Sequence, residues 1–424
     1  MDFSTSQIIE AAAAPGASAL GAMHRQASRR ARQLVNILAK GGYKEVVFRV
    51  RSKASDWVRP RGVVWPVFPE DVMAADLTRP KKIVFPKITP GEPIAVNWVT
   101  GPAGPGSGGH TTLYRIVKYL QGRGYSNRVY FYAPYGGDQR YYEAIAREHY
   151  GLTCEIGNVK DGMRHAHAVV ATNWTSAYPV FNSPCHGKRF YFVQDYEPYF
   201  YSVGTSSVLA ENTYRMGFHG ITAGRWLAEK LSRDFGMETD YFPFGCDTAR
   251  YSHDPAVKRN GVAFYARAET PRRAVELGLL ALGLFAKRQP QIELHLFGER
   301  MGDLGFKFVN HGLVTPAKLN EIYNRCFAGL SLSLTNVSLV PHEMLACGCI
   351  PVVNDADQNR IVLDNPHVVY APPTPHALAG ALEAVVTKSS FDTVSRRAAA
   401  SVVSASWDDA GAAVDVALRR ALGT

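Results

Sequence analysis

The stretch Thr335-Asn336-Val337-Ser338-Leu339-Val340-Pro341-His342-Glu343 places a polar loop, a helix start and a carboxylate within a few residues. Upstream, Leu330, Leu332 and Leu334 alternate with Ser331 and Ser333, which predicts a strand. Pro341 suits the first turn of a helix, where its missing N–H costs nothing. His342 to Cys347 completes that helix and Gly348 stops it. Ile350 to Val353 begins a second apolar strand. Backbone N–H groups of Ser338, Leu339 and Val340 then open at the carboxyl end of a buried strand. Free amides and the helix dipole at such a mouth attract a phosphate. Glu343, one turn in, can reach past that phosphate to a sugar hydroxyl.

Two other stretches carry candidate chemistry. The segment Ile94 to Val99 reads as a buried strand, followed by a glycine-rich loop that holds Gly106, Gly108, Gly109 and His110. A helix from Thr111 to Gly122 comes next, with Leu113, Ile116, Val117 and Leu120 at helical spacing. Strand, glycine-rich turn and helix open a Rossmann-like unit. No acidic residue follows this loop about twenty positions on, so dinucleotide binding is disfavoured. Glycines there let a sugar approach the backbone, and His110 can hydrogen-bond it. Arg189 to Gln194 reads as a further strand that ends in Asp195-Tyr196-Glu197-Pro198-Tyr199. Carboxylates and aromatic rings at a strand tip suit a sugar. Asp195 is the first candidate for an acceptor-side carboxylate, with Tyr196 beside it and Glu197 second.

The 328–354 stretch resembles the donor-binding motif of retaining GT-B glycosyltransferases of the family-4 type. That motif has two glutamates separated by seven residues and then Ala-x-x-x-Gly-x-Pro-Val-Val. Glu343 matches the second glutamate, and Ala346, Gly348 and Pro351-Val352-Val353 match the remainder of the motif. Thr335 stands where the first glutamate would fall. The run from Ser333-Leu334-Thr335-Asn336 through Gly348 more closely resembles WsaF-like bacterial rhamnosyltransferases, and the resemblance covers roughly residues 94–370. It implies that Arg267 and either Arg272 or Arg273 grip a donor diphosphate. It also implies that Gly312 and Leu313 line the nucleobase, and that Gly298, Thr335, Asn336, Ser338, Leu339, Val340 and Glu343 complete the donor site. Gly108, Gly109 and His110 match the loop that faces the acceptor. Fixed cations stabilise a leaving nucleoside diphosphate more than its ground state, and arginine offers a bidentate fork for phosphate.

The rest of the chain supplies the scaffold for these groups. Its 424 residues are ample for two or three domains. The expected fold is α/β, GT-B, with two Rossmann-like domains facing a central cleft. Residues 1–92 read as an N-terminal extension, with a basic helix over 21–41 and a proline-rich wrap. Residues 93–246 read as the acceptor domain and 247–390 as the donor domain. Residues 391–424 read as a helical segment crossing back to the first domain, anchored by Trp407. Net charge is +10 and the pI about 9.2, which fits a diphosphate ligand or an anionic membrane carrying a lipid-linked acceptor. Nucleic acid is excluded as a partner class by the absence of its recognition motifs. The six cysteines form no CxxC pair and read as free thiols of a reducing compartment. No run approaches about 20 apolar residues. The expectation is a cytoplasmic protein that touches the inner membrane leaflet.

The resemblance to WsaF-like enzymes implies transfer of L-rhamnose from dTDP-β-L-rhamnose to a hydroxyl of a surface polysaccharide. The resemblance implies retention of configuration, with Arg267, Arg272, His110 and Asp195 as catalytic candidates, no metal and no cofactor. The same fold with a UDP- or GDP-sugar donor is the first alternative. A non-catalytic glycan-binding scaffold is the second, because Thr335 replaces a glutamate. Fold class alone separates none of these.

Overall fold

The computed structural model describes residues 64–79 and 83–424. The expected basic helix over 21–41 lies outside the described residues. From Pro66 onward the chain forms one unit built on two parallel sheets. The first sheet contains β1 (Ala95–Thr100), β2 (Ser126–Phe131), β3 (Glu155–Asn158), β4 (Ala168–Ala171), β5 (Lys188–Val193), β6 (His219–Ala223) and β7 (Thr239–Phe242). Their spatial order is β3-β2-β1-β4-β5-β6-β7. The second contains β8 (Gly261–Ala266), β9 (Glu293–Gly298), β10 (Val309–Gly312), β11 (Cys326–Leu330), β12 (Ile350–Asn354) and β13 (Val369–Ala371), in the order β10-β9-β8-β11-β12-β13.

Parallel sheets need both faces covered, so their strands are apolar throughout. The period of two then decides which face each side chain serves. Phe190 and Phe192 of β5 pack into one cluster with Val96 and Trp98 of β1. Tyr191 and Val193 pack into another on the opposite face, with Val99 of β1 and Val169 of β4. The second sheet shares a single large core in which Phe264, Phe285, Leu296, Leu330 and Val352 are buried. Val67 is also buried in the first domain, and the helix Pro69–Ala74 precedes the first strand. That part of the expected extension is therefore packed into the first domain.

In each sheet the strand order reverses beside the first strand, between β1 and β4 and between β8 and β11. Crevices at the carboxyl ends of such reversals are where open α/β sheets bind ligands. The register keeps those ends level: Val99 pairs with Ala171, and Phe264 with Leu330.

The predicted strand through Leu334 is shorter in the structure. It ends at Leu330, and Leu334 is exposed. The alternation of leucine and serine there reflects a buried polar loop rather than a ladder. Asn354 explains this, since it accepts from the amide of Ser333 and donates to its carbonyl. The final helical segment is two helices, Phe391–Ala400 and Trp407–Leu422. The second buries Ala410, Val414 and Leu418 in the first domain's core. Trp407 packs on Gly245 and lies beneath the Arg115 guanidinium at 4.8 Å.

The crossover depends on close approach at Gly411. A Cβ built there would sit 2.3 Å from the Tyr119 ring. Gly411→Val should therefore lift this helix and cost about 1–3 kcal/mol by overpacking. Urea unfolding of the two proteins measures the difference, and equal midpoints would contradict the packing described.

Candidate functional site

A cavity of about 990 Å³ lies between the sheets and is lined from both. From the first domain come the loop after β1 (Gly106 to His110), the residues after β4 (Asn173, Trp174) and those after β5 (Gln194, Asp195, Glu197). From the second come Arg267, Arg272 and Arg273 after β8, Gly298 after β9, Leu313 after β10, and Ser338, Leu339, Val340 and Glu343 after β11. Most of the site residues expected from sequence therefore share one wall system. Gly312, Thr335, Asn336 and Tyr196 do not line it. Thr335 and Asn336 are buried beneath the wall, and Tyr196 is buried among Tyr199, Tyr214 and Phe235. Gly312 holds the backbone at φ +63° with Arg300 packed against it.

The three arginines differ in what holds them. Arg273 donates to Ser333 Oγ at 2.7 Å and to the Asn336 carbonyl at 3.3 Å. It holds the loop rather than reaching into open space. Arg272 stacks on Phe200, with its guanidinium carbon 4.2 Å from the ring centroid. Its Nε lies 3.4 Å from Asp195 Oδ2. Arg267 is half-exposed and 3.8 Å from Glu269. Arg267 and Arg272 are thus the two cations with charge to offer an anion in the cleft. The amides of Ser338 and Leu339 donate to no carbonyl among the described residues, and the helix Val340–Ala346 starts behind them without a side-chain cap. Unsatisfied amides at a helix start attract an anion.

Glu343 projects from that helix into a polar nest. Burial pushes its carboxyl up to about 7, opposed by the Arg115 guanidinium, while Asp247 adds to the rise. Arg115 itself is 3.0 Å from Asp247. This second pairing between the domains went unread in sequence, because its partners lie 132 positions apart.

The expected acceptor-side groups are occupied differently. His110 Nε2 is 2.9 Å from the Gly101 carbonyl, and Nδ1 is 2.9 Å from Ser107 Oγ. The carbonyl fixes the proton on Nε2, so Nδ1 accepts from the serine. Burial also holds this imidazole below its ordinary pKa. His110 therefore anchors its own loop. Asp195, expected as an acceptor-side carboxylate, is paired in the structure. Its Oδ1 accepts from the Asn336 amide at 2.8 Å and from the Tyr196 amide at 2.9 Å, and Oδ2 faces Arg272. Glu197 accepts from the Trp174 amide at 2.6 Å. Burial raises its pKa to about 8, so it is mostly a neutral acid near pH 7. Gly109 packs beside Gln194, whose side-chain amide donates to the Gly109 carbonyl at 3.0 Å.

Aromatic groups complete the first-domain wall. Trp174 Nε1 donates to Tyr201 Oη at 3.0 Å, and Phe200 and Tyr201 both face the cavity. All six cysteines are buried free thiols. No cluster of three or more potential metal ligands occurs among the described residues, and no helix there is long and apolar enough to cross a membrane.

This geometry has known counterparts. Residues 260–383 match the family model described as WsaF, C-terminal domain. The second domain is WsaF-like. The O-antigen biosynthesis protein RfbC of Myxococcus xanthus is 36% identical over 267 residues, covering 60% of this chain and 20% of RfbC. The chain thus spans about one fifth of the length of that relative. Among solved structures, TarM of S. aureus aligns with a TM-score of 0.61 at 9% identity, over 78% of this chain and 100% of TarM. HepE of Anabaena in complex with UDP-glucose aligns with a TM-score of 0.57 at 14% identity, over 78% of this chain and 99% of HepE. Two Rossmann-like domains about a cleft, with these neighbours, make the fold GT-B.

The buried Glu343 carboxyl makes stability depend on pH. Its folded pKa lies above the ordinary 4.5, so folding favours its protonated form. That contribution is complete below about pH 4.5 and is lost as pH rises through about 7. Glu343→Gln removes it. The variant should match wild type near pH 4 and gain on it toward pH 8, by roughly 3 kcal/mol. Thermal unfolding across that range is the check, and a difference independent of pH would refute the assignment.

Proposed function

We propose that this protein is a glycosyltransferase of cell-surface polysaccharide synthesis, with a nucleotide diphosphate sugar as donor and a glycan hydroxyl as acceptor. One observation carries the reading: Arg267, Arg272, the Ser338 and Leu339 amides and Glu343 line a single cleft between two nucleotide-fold domains. As the glycosidic bond breaks, its electron pair passes to the diphosphate. Arg267 and Arg272 stabilise that growing charge more than the ground state. They supply the positive charge the leaving group requires, and no metal or cofactor is assigned to the step. Glu343 accepts from the pentose hydroxyl.

The finer reading is L-rhamnose from dTDP-β-L-rhamnose, with retention. The WsaF-like second domain and the RfbC likeness support a surface-glycan role. The state of the acceptor-side groups supports retention. Inversion needs a protein base beside the acceptor, yet His110 is hydrogen-bonded through both nitrogens, Asp195 is paired, and Glu197 is protonated near pH 7. The remaining proton acceptor is a donor phosphate oxygen, which takes the acceptor proton on the face that the leaving group vacates. A UDP-sugar donor is the second reading, favoured by the neighbour solved with UDP-glucose. The acceptor is a glycan or a lipid-linked glycan. The excess of positive charge would bring the protein to the cytoplasmic face of an anionic membrane that carries it.

Incubation with a panel of nucleotide sugars and a rhamnose-terminated acceptor, followed by mass spectrometry, decides the donor. The expected product gains one deoxyhexose and releases dTDP, in the presence of EDTA as well as without it. Arg267→Ala and Arg272→Ala should each lower kcat by about 10²–10³-fold. A hexose product from UDP-glucose would replace the rhamnose reading. Full activity in both arginine variants would remove the mechanism.

A further inference from the structure

The loop between β11 and the Val340–Ala346 helix carries no carboxylate, although its motif has one at position 335. Thr335 occupies that position, buried, and its hydroxyl helps to hold the Asp195 pKa down. The carboxylate facing it therefore belongs to the other domain. Asp195, at the end of β5, accepts from the Asn336 amide through Oδ1 and approaches Arg272 Nε through Oδ2 at 3.4 Å. Asn336 returns the contact: its side-chain amide donates to the Gln194 carbonyl at 3.0 Å and to the Ala223 carbonyl at 2.9 Å. Its own Oδ1 accepts from the Val337 amide, which shapes the turn leading to Ser338 and Leu339. Arg273 ties the same turn to Ser333, and the Leu334 amide donates to the Arg272 carbonyl.

We infer that Asp195 is a positioning residue: from the first domain it holds Arg272 and the 335–340 turn of the second domain in the arrangement that receives a diphosphate. The inference rests on the nucleotide-sugar reading of the cleft. Asp195 itself touches neither donor nor acceptor in this scheme. Its two oxygens serve two different parts of the diphosphate site at once, one a cation and one the backbone leading to the free amides. The donor site is then complete only while the two domains are together.

Two measurements on the full chain test this, with Asp195→Ala and Asp195→Asn beside wild type. The asparagine retains an oxygen for the Asn336 amide, whereas the alanine retains none. Hydrogen–deuterium exchange without ligand should show residues 333–340 exchanging at least tenfold faster in the alanine variant, within threefold of wild type in the asparagine variant, and with strands β8 and β12 unchanged in both. Calorimetric titration with inorganic pyrophosphate, UDP and dTDP should show at least tenfold weaker binding in the alanine variant and a smaller loss in the asparagine variant, which keeps the loop contact but gives up the pairing with Arg272. Should the alanine variant fail to fold, Asp195→Ser replaces it in both measurements. Unchanged protection of 333–340 after carboxylate removal overturns the inference. So does a loosened loop with pyrophosphate binding intact. Wild-type protein that binds none of the three probes overturns the nucleotide reading instead, and the exchange pattern then still decides whether Asp195 holds the loop.

Discussion

A single carboxylate at the seam of two sheets sets the terms for the rest of this molecule. Asp195 is largely withdrawn from water, which raises its pKa, while Arg273 and Arg272 draw it back down. A buried charge is tolerable only when paired and hydrogen-bonded. Here the pairing spans both domains, because Arg272 and the Asn336 amide both belong to the second domain. The cleft walls are therefore not independent surfaces. The loop that presents free amides is braced from the opposite wall, and the Arg272 fork is aimed by its stacking on Phe200 and its approach to Asp195.

A second polar seam lies around Arg115, Asp247 and Glu343. Arg115 leaves the helix Gly108–Gly122 of the first domain, pairs with Asp247 in the segment after β7, and lies over Trp407 of the returning helix. Three segments distant in sequence thus converge beside the carboxylate that would meet a nucleoside. Burial favours the neutral form of Glu343 and Arg115 opposes it, which leaves the group near the midpoint of its titration at neutral pH. The returning helix thus touches the arginine that acts on Glu343 as well as bracing the first domain.

The fold was legible because parallel sheets buried on both faces write themselves as apolar runs broken by glycine, proline and small polar residues. The strands read at Ile94 to Val99, Arg189 to Gln194 and from Ile350 appear within a residue of those bounds, as Ala95–Thr100, Lys188–Val193 and Ile350–Asn354. Helix starts were less legible: Gly108–Gly122 begins before Thr111, since glycines carry no helical signal of their own. The Leu330 to Leu334 alternation misled for a different reason. Period two marks alternate burial, and Asn354 satisfies the serine backbone inside the core without any strand partner.

The order of residues already marks which groups could attract a diphosphate: arginines after one strand, a proline-started helix after another, and glycines where backbone must approach a ligand. Those properties are local, since a helix start or a guanidinium carries its charge wherever the chain places it. Which of these groups are free to act is set in three dimensions. Asp195, His110 and Arg273 each carry functional groups of the kind the site needs, yet each is committed to a partner, and burial shifts the proton affinities of Asp195 and His110. Commitment depends on distance between residues as much as 141 positions apart, and hydrogen bonding falls off over ångströms in space while the sequence records only separation along the chain.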